Sequence, residues 1–248
     1  MRNIWTIAKR EYNHYFISPL AYVVAFIILM PLGIYFAVIV FATSQQAFSG
    51  APPPDISPIT WLFCFLLVFT TPVLTMRLIS DEARMGTLEL LLTAPIRDFE
   101  LVVGKWLSAF LFILTILAIT LIFPLILHFM LVSPGIDQKL FLSAYLGVIL
   151  VAGAFLALGV GISAIFTNQF AAFFVTLCLF LFLWFFVSLP ANLLPSGGDA
   201  LNYLNMSSHF NEGFNAGNIN LSDIVYYISL IALGLFVGAT AIEVRRWR

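Results

Sequence analysis

A long run of the sequence, from Leu140 to Gly198, contains no aspartate, glutamate, lysine or arginine. A bilayer core about 30 Å thick is crossed by roughly 20 apolar residues in a helix, so the run is too long for one span. A polar break at Thr167-Asn168-Gln169 divides it into two. Only 9% of the 248 residues are charged, against about 25% in a typical soluble domain. The sequence therefore predicts an integral membrane protein and excludes a soluble enzyme, a disordered chain and a nucleic-acid binder that relies on a basic patch.

Four further uncharged runs are each long enough to cross a bilayer once. With the divided run they predict six spans, at about 20–42, 59–79, 105–131, 141–166, 170–189 and 223–243. The runs are continuously apolar and do not alternate with period two, which indicates helices and not a barrel. We therefore expect an all-α membrane fold.

Basic residues are strongly biased to one side of the predicted bundle. Six spans put both termini on the same side, together with the loop between spans two and three. Of the 11 lysines and arginines, only Lys139 lies on the opposite side. Because basic residues are retained on the cytoplasmic side, this bias predicts that both termini are cytoplasmic.

The first 18 residues have an amphipathic pattern. They predict a helix that lies in the membrane interface and stops at Ser18-Pro19. The residues expected to hold it at the headgroup level are Trp5, Lys9, Arg10 and Tyr12. The alternative is a cytoplasmic extension of the first span.

Residues 80–104 carry the main concentration of charge. Ser80 is expected to be a helix N-cap, with Asp81 and Glu82 in the favourable first turn, and Asp98 is expected to cap a second helix that runs into span three. The pattern predicts a short amphipathic helix that can lie against a soluble partner. The alternative is a solvated connector.

Small residues recur at four-residue spacing in two of the spans, which allows helices to approach closely. They are Gly153, Ala157 and Gly161 in span four, and Gly234 and Gly238 in span six. Both packing within one chain and a seam between two copies are consistent with this spacing.

The loop at 190–222 is the largest on the side opposite the termini, and it is too apolar for a free loop. We expect short helices that dip into the outer leaflet or cover a cavity.

Sequence signatures of catalysis are missing. Gly104-Lys105 is followed by Trp106, so there is no P-loop, and neither a zinc-protease motif nor a nucleophile elbow occurs. Cys64 and Cys178 have no pairing motif. The histidines at 14, 128 and 209 are expected to be structural or to lie at the headgroup level. We therefore expect no catalytic residue, no metal site and no cofactor in this chain.

The loop between spans two and three resembles the signature of ABC-2 type ABC transporter permeases, D-E-x-x-x-G-T-L-E-x-L-L-x-x-P, followed by G-K before span three. The matching stretch runs from Asp81 to Pro95 and continues with Gly104-Lys105. The likeness covers the whole chain, residues 1–248, as one transmembrane domain. The two ends, Trp5–Glu11 and Arg245–Arg248, most resemble permeases associated with bacterial gliding motility.

This resemblance implies a type V exporter-like fold in the inner membrane of a prokaryote. It also implies a non-enzymatic permease subunit that couples ATP hydrolysis by a separate ATPase to export or extrusion. The partners would be two ABC ATPase subunits that bind ATP and magnesium, a second permease copy or relative, and a membrane subunit with an extracytoplasmic domain. The residues of the coupling helix would be Asp81, Glu82, Arg84, Gly86, Thr87, Leu88, Glu89, Leu91, Leu92 and Pro95.

Two other functions are compatible with the sequence. One is an ATP-driven membrane scaffold that acts on an extracytoplasmic partner without moving a solute. The other is a stand-alone channel, although no acidic residue lies in the middle of a predicted span, where ion-coupled proteins usually keep one.

Overall fold

The computed structural model describes residues 2–46, 55–86, 97–130, 136–189 and 203–246, and these ranges contain helices and turns but no β-strand. The helices are α1 (Arg2–Ile17), α2 (Pro19–Gln46), α3 (Ser57–Thr75), α4 (Ser80–Met85), α5 (Asp98–Thr120), α6 (Ile122–Met130), α7 (Gln138–Ile165), α8 (Gln169–Leu181) and α9 (Leu221–Arg246). A π-helical turn at Phe182–Phe186 continues α8. Between α8 and α9 lies what we call the 206–216 segment, which consists of short turns at Met206–Ser208, His209–Gly213 and Phe214–Ala216.

Six stretches of the described chain are long and apolar enough to cross a membrane, which is the number that the sequence predicts. They are Pro19–Gln45, Ser57–Glu82, Asp98–Phe129, Gln138–Ile165, Gln169–Phe186 and Leu221–Arg245. The protein is therefore a multi-pass membrane protein. One stretch combines α3 with α4, and another combines α5 with α6.

The interruption between α5 and α6 has a local cause. Pro124 has no backbone N–H to donate to the carbonyl of Thr120. The hydroxyl of Tyr145 on α7 donates to that carbonyl instead, at 3.0 Å. The break is thus bonded to the neighbouring helix.

Helix α7 lies at the centre of the bundle and packs most extensively against α9. The contact is close because it is built from small residues. A Cβ atom on Gly234 would lie 2.4 Å from the backbone carbon of Ala157, and one on Gly161 would lie 2.6 Å from the carbonyl oxygen of Gly234. Gly238 faces Gly161, and Gly153 faces Ile231. Four of the five small residues singled out in the sequence, Ala157, Gly161, Gly234 and Gly238, therefore meet one another within one chain, and the fifth, Gly153, packs against a larger side chain of α9.

Polar side chains mark the starts of α7 and α8. The Asp137 carboxylate accepts the backbone N–H groups of Lys139 and Leu140. The Asn168 side chain accepts the N–H of Phe170 at 2.9 Å, so the polar break seen in the sequence is the N-cap of α8.

Helix α1 lies alongside the first half of α5, and both helices run in the same direction. The Asn3 amide donates to the Glu100 carboxylate at 3.1 Å. Further along, the rings of Tyr15 and Phe112 stack with centroids 5.0 Å apart. Helix α1 therefore packs parallel to the first half of α5, which is one of the six apolar helices. The amphipathic pattern alone does not predict this packing. The place of α1 in the membrane interface stays a prediction.

Candidate functional site

A buried lysine joins three helices at the end of the bundle where α3 ends and α5 begins, which we call the α4 end. Lys105 on α5 has only 2% of its side chain exposed. Its Nζ atom lies 2.8 Å from Oε1 of Glu82 on α4 and 4.0 Å from Oε1 of Glu11 on α1. A buried charge is tolerated only when it is paired, so these contacts fix α1 and α4 relative to α5.

Glu11 is ionised in this arrangement. Burial by itself raises the pKa of its carboxyl group, but Lys105 and the hydrogen bond from Arg10 lower it by more, so that the net pKa lies below 4.5, the ordinary value. The Arg10 guanidinium donates to Glu11 Oε1 at 2.6 Å. The carboxylate of Glu11 thus faces two cations, one exposed and one buried.

Three consecutive residues of α5 contact three different helices. A Cβ atom on Gly104 would lie 2.8 Å from the Cγ2 atom of Ile7, so the glycine admits α1. Lys105 reaches Glu82 on α4. The indole N–H of Trp106 donates to the carbonyl of Gly153 on α7 at 3.0 Å. The Gly-Lys motif of the sequence is therefore a packing position followed by an ion-pairing position.

The turn between α3 and α4 is bonded to α7. Ser163 Oγ on α7 accepts the backbone N–H groups of Ile79 at 3.3 Å and Ser80 at 3.2 Å. One turn earlier, a Cβ atom on Gly159 would lie 2.5 Å from the Thr75 hydroxyl. The polypeptide that leads into α4 is thus held against the central helix.

Two of the expected helix caps are wrong. Ser80 is the first residue of α4, Ile79 takes the N-cap position, and the Ser80 hydroxyl donates to the carbonyl of Met76. Ser80 is buried and Ser163 already accepts the N–H groups at this helix start, so no capping hydroxyl is needed. At the second site Arg97 is the N-cap of α5, and its backbone N–H donates to Glu100. Asp98 is the first residue of the helix.

An open cavity of about 610 Å³ adjoins Lys105. Its walls come from α1, the start of α2, the end of α3 and α4, and its lining includes Arg77 and His14. The C-terminal half of α1 and helix α4 both line this cavity, and Lys105, which faces a carboxylate on each of them, lines it as well.

The structure describes only part of the predicted coupling helix. Asp81, Glu82 and Arg84 lie on α4, and Gly86 ends it with a φ of 70°, a left-handed conformation that favours glycine. The remaining predicted residues lie outside the described residues: Thr87, Leu88, Glu89, Leu91, Leu92 and Pro95. Trp5, Lys9, Arg10 and Tyr12 lie on α1, where the Tyr12 hydroxyl is 2.8 Å from that of Thr115 on α5.

Sequence reasoning missed Glu11 and Ser163. Glu11 could have been found, because a lysine seven residues inside a helix that continues as a span needs an acidic partner. Ser163 gives no such signal, since a serine in a small-residue helix is ordinary packing.

The opposite end of the bundle is tied together by the 206–216 segment. Asn215 bonds twice to the start of α3: its amide nitrogen donates to the carbonyl of Ser57 at 3.2 Å, and its amide oxygen accepts from the Thr60 hydroxyl at 2.6 Å. His209 contacts Asp223 at the start of α9, with Nδ1 and Oδ1 2.7 Å apart. The first residues of the predicted outer loop, 190–202, lie outside the described residues.

No group of three metal-ligating side chains that could hold an ion occurs among the described residues. What the α4 end provides is an ion pair and a set of close helix contacts. Such an arrangement can transmit a displacement of α4 to α1, α5 and α7.

Comparison with known proteins gives one family. A family model described as "ABC-2 family transporter protein" matches residues 5–242. No curated protein matches the chain.

Proposed function

The chain belongs to the ABC-2 family of transporter proteins, and we propose that its α4 end receives the motion of an ATPase subunit and passes it to the spans. That the chain is a multi-pass ABC transporter permease follows from the family and its six apolar helices. The coupling is our proposal. In this proposal residues 80–104 form the surface on which the ATPase docks. Glu82 belongs to that surface and also forms the ion pair with Lys105 inside the chain.

The observation that carries the proposal is the ion pair between Lys105 and Glu82. A segment that only connects two spans would need no buried charge at its base, and burying one costs free energy. Here the charge fastens the first turn of α4 to α5. A displacement of α4 therefore moves α5, or else it breaks the pair.

A second path leads from the same turn to the central helix. Ser163 accepts the N–H groups of residues 79 and 80, and α7 is joined to α9 through the close Gly161–Gly234 contact. Because packed interfaces shift between discrete arrangements and do not deform continuously, α7 and α9 would move as one body.

The rest of the assembly is proposed from the family. Two ABC ATPase subunits would bind ATP and magnesium on the cytoplasmic side, where both termini of this chain lie, in the inner membrane of a prokaryote. A second permease copy or relative would complete the membrane part in a type V exporter-like arrangement, and this chain would have no catalytic site. Transport would be export or extrusion.

Likeness at the two ends of the chain also supports a narrower proposal. The stretches Trp5–Glu11 and Arg245–Arg248 resemble the ends of gliding-motility permeases, and on this likeness we propose that the chain is one of them. On that proposal a further membrane subunit with an extracytoplasmic domain is a partner.

The test is co-purification followed by ATPase measurement. The tagged chain is expressed with a candidate ABC ATPase from the same source, extracted in mild detergent and reconstituted in vesicles. Replacing Leu88 and Leu91 by serine is expected to abolish the complex. Lys105→Met is expected to keep the complex but lose the change in ATPase rate that the wild-type permease causes.

Lys139→Met is the matched control. Lys139 is an exposed lysine at the start of α7, whereas the contact of α7 with the α4 end is made by Ser163 near the end of that helix. It should leave both the complex and the ATPase rate unchanged. A wild-type chain that binds no candidate ATPase would refute the docking proposal, and a Lys105→Met complex with the wild-type rate would refute the role of the ion pair.

A further inference from the structure

The cavity that adjoins Lys105 lies at the level where two spans end. Leu20 lines it one residue after the apolar stretch Pro19–Gln45 begins, and Glu82 lines it at the last residue of the stretch Ser57–Glu82. The spans of a membrane protein end where the hydrocarbon core of the bilayer gives way to the headgroup region. The cavity is therefore at the depth of the lipid headgroups, in the leaflet at the α4 end.

The lining of this cavity carries as many positive as negative side chains. They are Arg10, Arg77 and Lys105 on the one hand, and Glu11, Asp81 and Glu82 on the other. Four of the six are already joined in the ion pairs of Arg10 and Lys105, at 2.6 and 2.8 Å. Arg77 and Asp81 form no ion pair with any residue that the structure describes. The cavity thus offers a ligand one guanidinium and one carboxylate.

A zwitterion is the ligand that matches both of these groups. A guanidinium forms paired hydrogen bonds with the oxygens of a phosphate, and a carboxylate accepts hydrogen bonds from an ammonium group, which has only donors. A ligand with a phosphate alone would bring a like charge to Asp81, and a ligand with an amine alone would bring one to Arg77. The two side chains together therefore favour a molecule that carries both a phosphate and an ammonium group.

An apolar surface leads away from the cavity along α2. Ile17, at the end of α1, lines the cavity and is 76% exposed. The Tyr22 hydroxyl donates to the carbonyl of Phe16 at 2.8 Å, which holds the first turn of α2 beside the end of α1. Tyr22 and Phe26 are both exposed, and residues four apart lie on the same face of a helix. Acyl chains attached to a headgroup in the cavity can lie along these side chains.

We propose that the cavity binds a phospholipid whose headgroup carries a phosphate and an ammonium group, from the leaflet at the α4 end. Arg77 binds the phosphate, Asp81 binds the ammonium group, and the acyl chains lie over Ile17 and the start of α2. The cavity volume of about 610 Å³ falls within the usual range for a small-molecule site, about 300–1,000 Å³. This inference goes beyond the proposed coupling and does not depend on an ATPase.

The test is the equilibrium binding of two lipids to the full-length chain, purified in mild detergent. The probes are phosphatidylethanolamine and phosphatidylglycerol with the same fluorescent acyl chain. We expect phosphatidylethanolamine to bind more tightly by roughly threefold to tenfold, since it alone has an ammonium group for Asp81. Equal affinities for the two lipids would show unspecific contact with the surface of the spans and would overturn the proposal.

Two variants assign the two charges. Arg77→Gln should weaken the binding of both lipids, because both carry the phosphate, whereas Asp81→Asn should weaken phosphatidylethanolamine alone and so remove the preference. Each loss should be roughly threefold to tenfold. The matched controls are Lys139→Gln and Glu243→Gln, at exposed positions outside the cavity, and they should bind both lipids as the wild type does. A preference that survives Asp81→Asn would overturn the proposal.

The same headgroup chemistry occurs in soluble molecules, and competition distinguishes the two sources. Glycerophosphoethanolamine carries the phosphate and the ammonium group but no acyl chain. Displacing the fluorescent phosphatidylethanolamine should require a concentration at least roughly tenfold above that of unlabelled phosphatidylethanolamine, because the soluble molecule buries no apolar surface along α2. Equal potency of the two competitors would assign the cavity to a soluble ligand and overturn the lipid proposal. This comparison uses the wild-type chain, so it decides the question even where a variant does not fold.

Discussion

Lys105 Nζ lies 2.8 Å from Glu82 Oε1, although 23 residues separate them in the chain. The two residues belong to the two ends of the family-like signature, the Asp-Glu pair at its start and the Gly-Lys pair after it. The structure thus explains the spacing of the motif physically, since one end supplies the anion and the other supplies the buried cation.

Lys105→Met is expected to destabilise the protein by about 3 kcal/mol, because it removes the buried cation that the carboxylates of Glu82 and Glu11 face. The double variant Lys105→Met/Glu82→Leu should cost less than Lys105→Met alone, since the carboxylate closest to the lysine is removed together with it. Thermal unfolding in detergent measures both, with Lys139→Met as an exposed control. Equal losses in the single and double variants would contradict this account.

Acidification should weaken the contact between α1 and α5. The folded-state pKa of Glu11 lies below its ordinary value of 4.5. Burial raises this pKa, but Lys105 and Arg10 together lower it by more. A group with a lowered pKa stabilises the fold above its unfolded pKa and loses that contribution as the pH falls through the folded pKa. The stabilisation by Glu11 is therefore complete at neutral pH and is lost below about 4.5.

The measurement compares the unfolding temperatures of the wild type and Glu11→Gln at pH 7 and at pH 4. The wild type should be more stable than the variant at pH 7, and the difference should shrink at pH 4. Glu243→Gln, at an exposed position on α9, serves as the control for removing a carboxylate. A gap that stays constant with pH would show that Glu11 does not titrate as described.

The sequence alone predicts features that follow from the length and composition of a segment. It does not predict features that depend on contacts between distant segments. The charge-free runs predict the six apolar helices because a bilayer imposes length and composition on each span. Packing of α1 against α5 depends on Gly104 and Ile7, a steric fit that amphipathicity does not encode. The prediction that Ser80 is the N-cap of α4 is wrong because of another long-range contact. The backbone N–H of Ser80 donates to the hydroxyl of Ser163, 83 residues away.

Ser163→Ala should destabilise the protein by about 1 to 3 kcal/mol, because it leaves two buried N–H groups without their acceptor. The matched control is Ser229→Ala on α9, since that hydroxyl only donates to the carbonyl of Tyr226 in its own helix. Thermal unfolding should separate the two variants. If they behave alike, the bonds to Ile79 and Ser80 contribute little to stability.

In the coupling assay Ser163→Ala addresses the second path. We expect the variant to bind the ATPase as the wild type does and to change its rate less, because the turn before α4 is no longer bonded to α7. Ser229→Ala should give the wild-type rate. A full response in Ser163→Ala would leave the Lys105 ion pair as the route of transmission.

Gly234→Ala should disrupt the contact between α7 and α9. The added Cβ atom would lie 2.4 Å from the backbone carbon of Ala157, and because backbone cannot yield as a flexible side chain does, the helices must move apart, at a cost of about 1 to 3 kcal/mol or more. Gly33→Ala is the matched control, since its Cβ atom would meet nothing within 4 Å. It should be neutral or stabilise α2 by roughly 0.5 to 1 kcal/mol, as alanine favours a helix over glycine. If both variants shift the unfolding temperature in the same direction, helix propensity alone accounts for both. That result would contradict the destabilisation that we expect from the close contact between Gly234 and Ala157.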